Sequence, residues 1–328
     1  MRTPRILTAL CLFVLPACGG GGGGGGGGTG GTPGGTGPGL GAGADLMGRR
    51  PFPASDPWNT PIDTAPVDPN SDALIASIGT TTNLHPDFGA DWNGGPFGIP
   101  YVVVAGTQPK VPVTFGTDDE SDPGPYPIPS DAPIEGGAGS SGDRHVLVID
   151  RDAWALYECF AAYPHGGGSS WTAGSGAFFD LSLTPARPDG WTSADAAGLP
   201  IFAGLVRYDE AVTHGAILHA LRFTVNATRR AYVAPATHYA STDTNPSLPP
   251  MGMRVRLKAT FDITGFSPAC QVILTAMKRY GMFVADNGSD WYVSGAPDAR
   301  WDDGELNELK TVPGGQFEVV QMGPITVG

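Results

Sequence analysis

The sequence predicts an all-β domain, a two-sheet sandwich with one packed helix and long Gly/Pro loops. Three observations predict it. Short apolar runs, several alternating with period two, recur along the chain as half-buried strands do. Glycine and proline stay frequent throughout, at 50 and 32 of 328 residues, which requires many turns and excludes a helical bundle. Only one segment combines helical spacing with capping residues.

Taken in order, Tyr101 to Ala105 and Val111 to Phe115 are short apolar runs. His145 to Ile149 and Trp154 to Phe160 flank Asp150-Arg151-Asp152-Ala153 and predict a hairpin. Leu218 to Val225 and Ala231 to Ala234 flank Asn226 to Arg230 and predict a second. From Met253 to Phe261 the apolar residues Met253, Val255, Leu257, Ala259 and Phe261 share one face, while Arg254, Arg256 and Lys258 share the other. The helix follows. Ser267 is its cap, Pro268 suits its first position and Gly281 suits its end. Val272, Ile273, Ala276, Met277 and Tyr280 form its apolar stripe. Met282 to Ala285, Trp291 to Val293 and Phe317 to Val320 complete the strands.

Ahead of this domain, residues 1–17 read as a secretory signal: Arg2 and Arg5, an apolar run from Ile6 to Val14, then Leu15-Pro16-Ala17. The run is too short to span a bilayer, which takes about 20 apolar residues. Leu15 to Cys18 resembles a bacterial lipobox. The resemblance implies that Cys18 is lipidated and becomes the mature N-terminus, which places the protein in the cell envelope with the lipid as its only membrane contact. Residues 18–44 then read as a disordered linker, since ten glycines from Gly19 to Gly28 and a Gly/Thr/Pro stretch offer no apolar side chain to offset ordering entropy. Its reach is roughly 25–30 Å. Residues 45–328 are expected to form one domain.

The formal net charge is −13, which should repel nucleic acid and anionic headgroups. Cys159 and Cys270 are the cysteines left after Cys18, an even pair in an oxidising compartment, and a disulfide between them is expected. No nucleophile elbow, zinc-binding H-E-x-x-H, P-loop or C-x-x-C pair is present.

Candidate chemistry therefore rests on isolated polar residues. His219 and His238 would lie near the far ends of the second hairpin and approach one another. Either can serve as a base, and together with His145 they can form a divalent-metal site. Glu158 shares a strand face with Trp154 and Leu156, where burial would raise its pKa toward that of a general acid. Asp195 is a lone charge in a small apolar stretch. Glu135 and Asp143 flank a Gly/Ser-rich loop, and Asp286-Asn287-Gly288 reads first as a turn. Arg222 is placed to neutralise a substrate carboxylate, and Trp171, Trp191 and Trp291 lie among polar residues, as sugar-stacking aromatics do.

The runs Thr192 to Ile201, His219 to Phe223, Pro249 to Lys258 and Lys278 to Met282 resemble a group of secreted bacterial proteins of no established activity. The resemblance covers most of Pro51 to Gln321 and implies one domain. It carries no catalytic residue across. Export, loop tryptophans and the His/carboxylate set lead to the expectation of an enzyme acting on extracellular polysaccharide by hydrolysis or elimination. A non-catalytic module binding glycan or protein is the other reading.

Overall fold

A computed structural model describes residues 38–328; the signal segment, Cys18 and the linker up to residue 37 lie outside the described residues. The chain is β-rich and sandwich-like. Its first sheet has the order β1 (Gly41–Ala42), β3 (Tyr101–Val104), β5 (Val146–Asp150), β6 (Ala155–Phe160), β9 (Ser175–Asp180). The second runs β15 (Phe317–Val319), β12 (Arg254–Leu257), β13 (Met282–Asn287), β10 (Leu221–Val225), β14 (Tyr292–Ser294), β2 (His85–Asp87). A third sheet joins β4 (Val113–Phe115), β8 (Ser170–Ala173) and β7 (Tyr163–His165). A two-stranded ribbon pairs β11 (Ala231–Val233) with β16 (Ile325–Val327).

The first sheet is buried on both faces, which is why β3 and β5 read as unbroken apolar runs. Val102, Val104, Val146, Val148, Tyr157 and Cys159 pack with Trp171 and Ala173 of the third sheet. The alternate residues Tyr101, Val103, Leu147, Ile149 and Leu156 join one continuous core with the second sheet. The β5–β6 hairpin forms around Asp150-Arg151-Asp152-Ala153 as expected, with Val148 opposite Tyr157.

The second hairpin does not form. β10 pairs with β13 and β14, and β11 pairs with β16. The Asn226 to Arg230 connection is held away from β10 because the Asn226 amide donates to Asp290 Oδ1 at 2.7 Å and Thr228 Oγ1 to Asn287 Oδ1 at 2.8 Å.

Among the helices are α1 (Ser71–Ile78), α2 (Pro268–Arg279) and α3 (Asp303–Leu306). In α2 the stripe packs as expected, with Ile273, Ala276 and Met277 buried. The Ser267 hydroxyl does not cap it; Ser267 instead gives its amide to Glu308 Oε2 at 2.7 Å. Gly281 follows with φ +71°, the left-handed geometry that glycine adopts without strain. The cationic face of β12 is spent internally. Arg254 donates to Tyr280 O, Arg256 pairs with Glu318 at 2.7 Å and Lys258 donates to Gly315 O.

Cys159 and Cys270 are both free and buried. Cys159 faces the third sheet, whereas Cys270 sits on α2 in the other core and gives its Sγ hydrogen to Glu305 O at 3.2 Å. The expected disulfide is therefore absent. Gly41–Ala42 of the expected linker also pairs in register with Val103 and Val102. Among the described residues no helix is long and apolar enough to cross a membrane.

Candidate active-site cleft

Four neighbouring strands of the second sheet place a polar row across its face. Ser294 of β14 stands opposite Asp87 of β2, and Thr224 of β10 stands opposite Asp286 of β13. Arg222, two residues before Thr224, points to the same face by strand periodicity and reaches Ser294 Oγ through Nη1, one of the row's tightest hydrogen bonds. Arg222 also holds Asp195 through two nitrogens, at 3.2 and 2.8 Å, with both residues buried. Asp195 belongs to a segment wedged between the sheets. A few residues on, the amides of Ile201 and Phe202 donate to the two oxygens of Glu158 on β6, at 3.0 and 2.8 Å.

Loops at one end of the first sheet's strands close the other side. His145, directly before β5, gives its Nδ1 hydrogen to Glu135 Oε2 at 2.6 Å and its Nε2 hydrogen to Ala194 O at 3.2 Å. Both ring nitrogens face acceptors, so the ring carries both hydrogens and is cationic. Burial opposes that charge, yet Glu135 outweighs it and lifts His145 to about 9. Burial likewise works against ionising Glu135, but the charge and hydrogen bonds of His145 hold its carboxyl below the usual range.

Two neighbouring carboxylates shift the opposite way. Asp87 is raised by desolvation and by the charge of Glu135. Asp286 is pushed up to about 7 by desolvation and by Asp195.

Asp87 and Glu135 line a cleft of about 1120 Å³. Its rim holds Trp92, which is 69% exposed, and the Asp298–Arg300 pair, bound through two contacts at 2.8 and 2.6 Å. Trp92 leans on Phe97 with ring centroids 6.2 Å apart, so the indole is propped while its surface stays open.

The residues singled out from sequence divide between this centre and elsewhere. His145, Asp195, Arg222 and Glu158 converge behind the cleft; each feels the charge of at least one of the others. Glu158 is fully enclosed, and burial raises it to about 7 against its two amide donors. His219 and His238 do not approach as a pair. His219 is buried with Nε2 on Glu210 Oε2 at 2.9 Å and Nδ1 on Ala220 O at 2.7 Å, while His238 Nδ1 donates to Ala196 O at 2.8 Å. The hairpin that would have joined them is absent. For the same reason His145, His219 and His238 form no common metal-ligand group among the described residues. Glu135, Asp143 and His145 do bring ligand atoms within 4.8 Å of one another, but His145 has already committed both nitrogens.

Trp171 and Trp291 are core residues, 2% and 0% exposed, and offer no stacking face; Trp191 is half-buried under Arg187. Arg222 is sealed in its ion pair and does not reach the cleft wall.

A second buried polar knot lies on a π-helical turn at Asp209–His214. Arg207 pairs with Asp209 at 3.2 Å and with Glu210 at 2.7 Å, and Asp209 accepts the Leu46 amide. Compared with known proteins, the chain matches no family model, no curated protein and no solved structure.

Proposed function

We propose that the cleft holds a saccharide chain and that the protein hydrolyses a glycosidic bond there, at the cell envelope, tethered through a lipidated Cys18. The observation that carries this reading is an exposed indole lining the same cleft as two carboxylates of opposite protonation tendency. Aromatic faces stack on the apolar faces of sugar rings. Glycoside hydrolysis uses one carboxyl group as acid and one as base or nucleophile. Glu135, kept ionised by His145, takes the proton of the attacking water. Asp87, kept protonated more readily by its surroundings, gives a proton to the leaving oxygen. Hydrolysis is favoured over elimination because Arg222, the natural neutraliser of a uronate carboxylate, is bound to Asp195 and Ser294.

The test is reducing-end release from a panel of polysaccharides. Glu135→Gln and Asp87→Asn should each lower it about 10²–10⁴-fold, as loss of a general acid or base does, while Trp92→Ala should chiefly weaken binding. Saccharide retention without any product from the wild type would replace the hydrolase with a binding module.

A further inference from the structure

We propose that Asp45, Asp209 and His214 bind one divalent transition-metal ion of the zinc or manganese class, which staples the end of the tether to the π-helical turn. None of the three lines the cleft, and the site is independent of the saccharide reading. Two carboxylates and one imidazole are a donor set that such ions take from proteins, with a further position left to water. The ligand atoms of the three side chains all lie within 4.8 Å of one another.

Asp45 and His214 are 169 positions apart in the chain, and two features of the fold bring the set together. Pairing of Gly41–Ala42 with β3 delivers Asp45 to the domain. In an α-helix, residues five apart lie about 140° from one another around the axis, so Asp209 and His214 would diverge. The π turn closes five residues back instead, the Gly215 amide returning to Glu210 O, and this wider pitch brings the two toward one side. Such turns are frequent at functional sites.

His214 Nε2 lies 2.9 Å from Asp45 Oδ1. Two atoms each about 2.1 Å from one zinc ion are about 3.0–3.4 Å apart, for angles from square to tetrahedral. The ion thus takes the place of the proton between them with little movement. Asp209 keeps room for a third bond. Each of its oxygens accepts one donor, Arg207 Nε and the Leu46 amide, both at 3.2 Å, and a carboxylate offers about four lone-pair sites. Arg207 and His219 both bind Glu210, and Arg207 also binds Asp209. Asp45 has His214 alone opposite it among the described residues, so it is the carboxylate that a divalent ion compensates. The guanidinium that holds Asp209 leaves its buried Nη1 without an acceptor among the described residues, and water carried on the ion supplies an oxygen of the kind it lacks. The side chains of His214 and Asp45 are 33% and 32% exposed, which opens the site to ions from solvent.

The test is calorimetric titration of zinc chloride into the chelator-stripped, dialysed protein, with manganese and magnesium chlorides in parallel. Zinc should bind at one equivalent with a Kd below about 10 µM. At a hundred times that Kd it should raise the Tm by roughly 5 °C. Manganese should bind more weakly, as the order of divalent affinities requires, and magnesium more weakly still. Loss of a ligand should cost at least what loss of a supporting partner does, about 10–100-fold. Asp45→Asn and His214→Gln should therefore each weaken zinc at least about tenfold and erase the Tm gain. Both positions are partly exposed, so the variants fold; Asp209, which also holds Arg207 and Leu46, is left intact. His165→Gln, at an exposed histidine of β7, should leave zinc binding unchanged. No saturable zinc binding up to about 100 µM, zinc binding unmoved by both ligand substitutions or lost with His165→Gln, or magnesium binding as tight as zinc overturns the proposal.

Discussion

At the scale of single residues, His145 decides how the centre responds to pH. It stands between Glu135 and the Ala194 carbonyl with both hydrogens committed, and its folded pKa of about 9 lies above the unfolded value near 6.5. A group raised on folding stabilises fully below its unfolded pKa and loses that contribution as pH rises through its folded one. Glu135, depressed in the fold, acts at the acid end: its contribution is present above the ordinary carboxylate range and disappears as pH falls below it. The pair is thus most stabilising between these limits. The unfolding free energy from urea titrations between pH 6.5 and 9.5 should fall for the wild type, by on the order of 2–3 kcal/mol. His145→Gln should be less stable at pH 6.5 and nearly flat across that range; a wild-type midpoint that stays flat would deny the cationic ring. Sequence alone marked His145 and Asp195 as polar residues in apolar surroundings, and both are buried, whereas Arg222, expected to face a substrate, is buried with Asp195. It passed over Asp87 and Trp92. They sit among Pro, Gly and Asn residues that read as turns, and only the neighbouring strands reveal that this turn overhangs a polar row.

At the scale of elements, strands and helices with a repeating signal were legible and pairings distant in sequence were not. The unbroken apolar run of Val146 to Ile149 states that both faces are buried, and the stripe of α2 states which face is. Nothing in β10 states that its neighbours are β13 and β14, some sixty residues on. The false hairpin followed from assuming that successive strands pair. The cysteines failed similarly: β6 and α2 both look like core elements, but Cys159 and Cys270 face different cores. Denatured protein titrated without reductant should therefore yield thiols for both Cys159 and Cys270, and reductant should leave the Tm unchanged. The end of α2 allows a sharper test. Gly281 combines φ +71° with a neighbouring Val255 carbonyl onto which a Cβ would fall. Gly190 has φ +85° and nothing within 4 Å of its Cβ position. Gly281→Ala should cost about 2–4 kcal/mol, strain plus overpacking, against about 1–2 for Gly190→Ala. Equal losses would mean that backbone strain alone governs both sites.

At the scale of the whole molecule, the boundary between tether and domain is where composition misleads most. Glycine-rich chain offers no side chains to bury, and on that ground residues up to 44 read as linker. The order of this segment comes from its backbone instead. Gly41–Ala42 adds an edge strand to β3, Gly43 donates to Tyr101 O at 3.0 Å, and Ala44 O accepts the Tyr101 hydroxyl at 2.9 Å. Leu46 then enters the core completely and gives its amide to Asp209, beside Arg207. Ala42 and Gly43 also form part of the cleft wall, so the end of the tether is built into the proposed site. A chain starting at Arg49 should consequently be less stable than one starting at Pro38. Burial of Leu46 alone contributes about 1.5–3 kcal/mol, and the lost strand exposes the β3 edge, so the Tm should drop by roughly 5 °C or more. Leu46→Ala in the longer chain separates the two effects: it should reproduce much of the stability loss and leave saccharide binding intact, whereas the shorter chain should lose both. Equal binding by the two chain lengths would show that the tether's last residues support the fold without shaping the cleft.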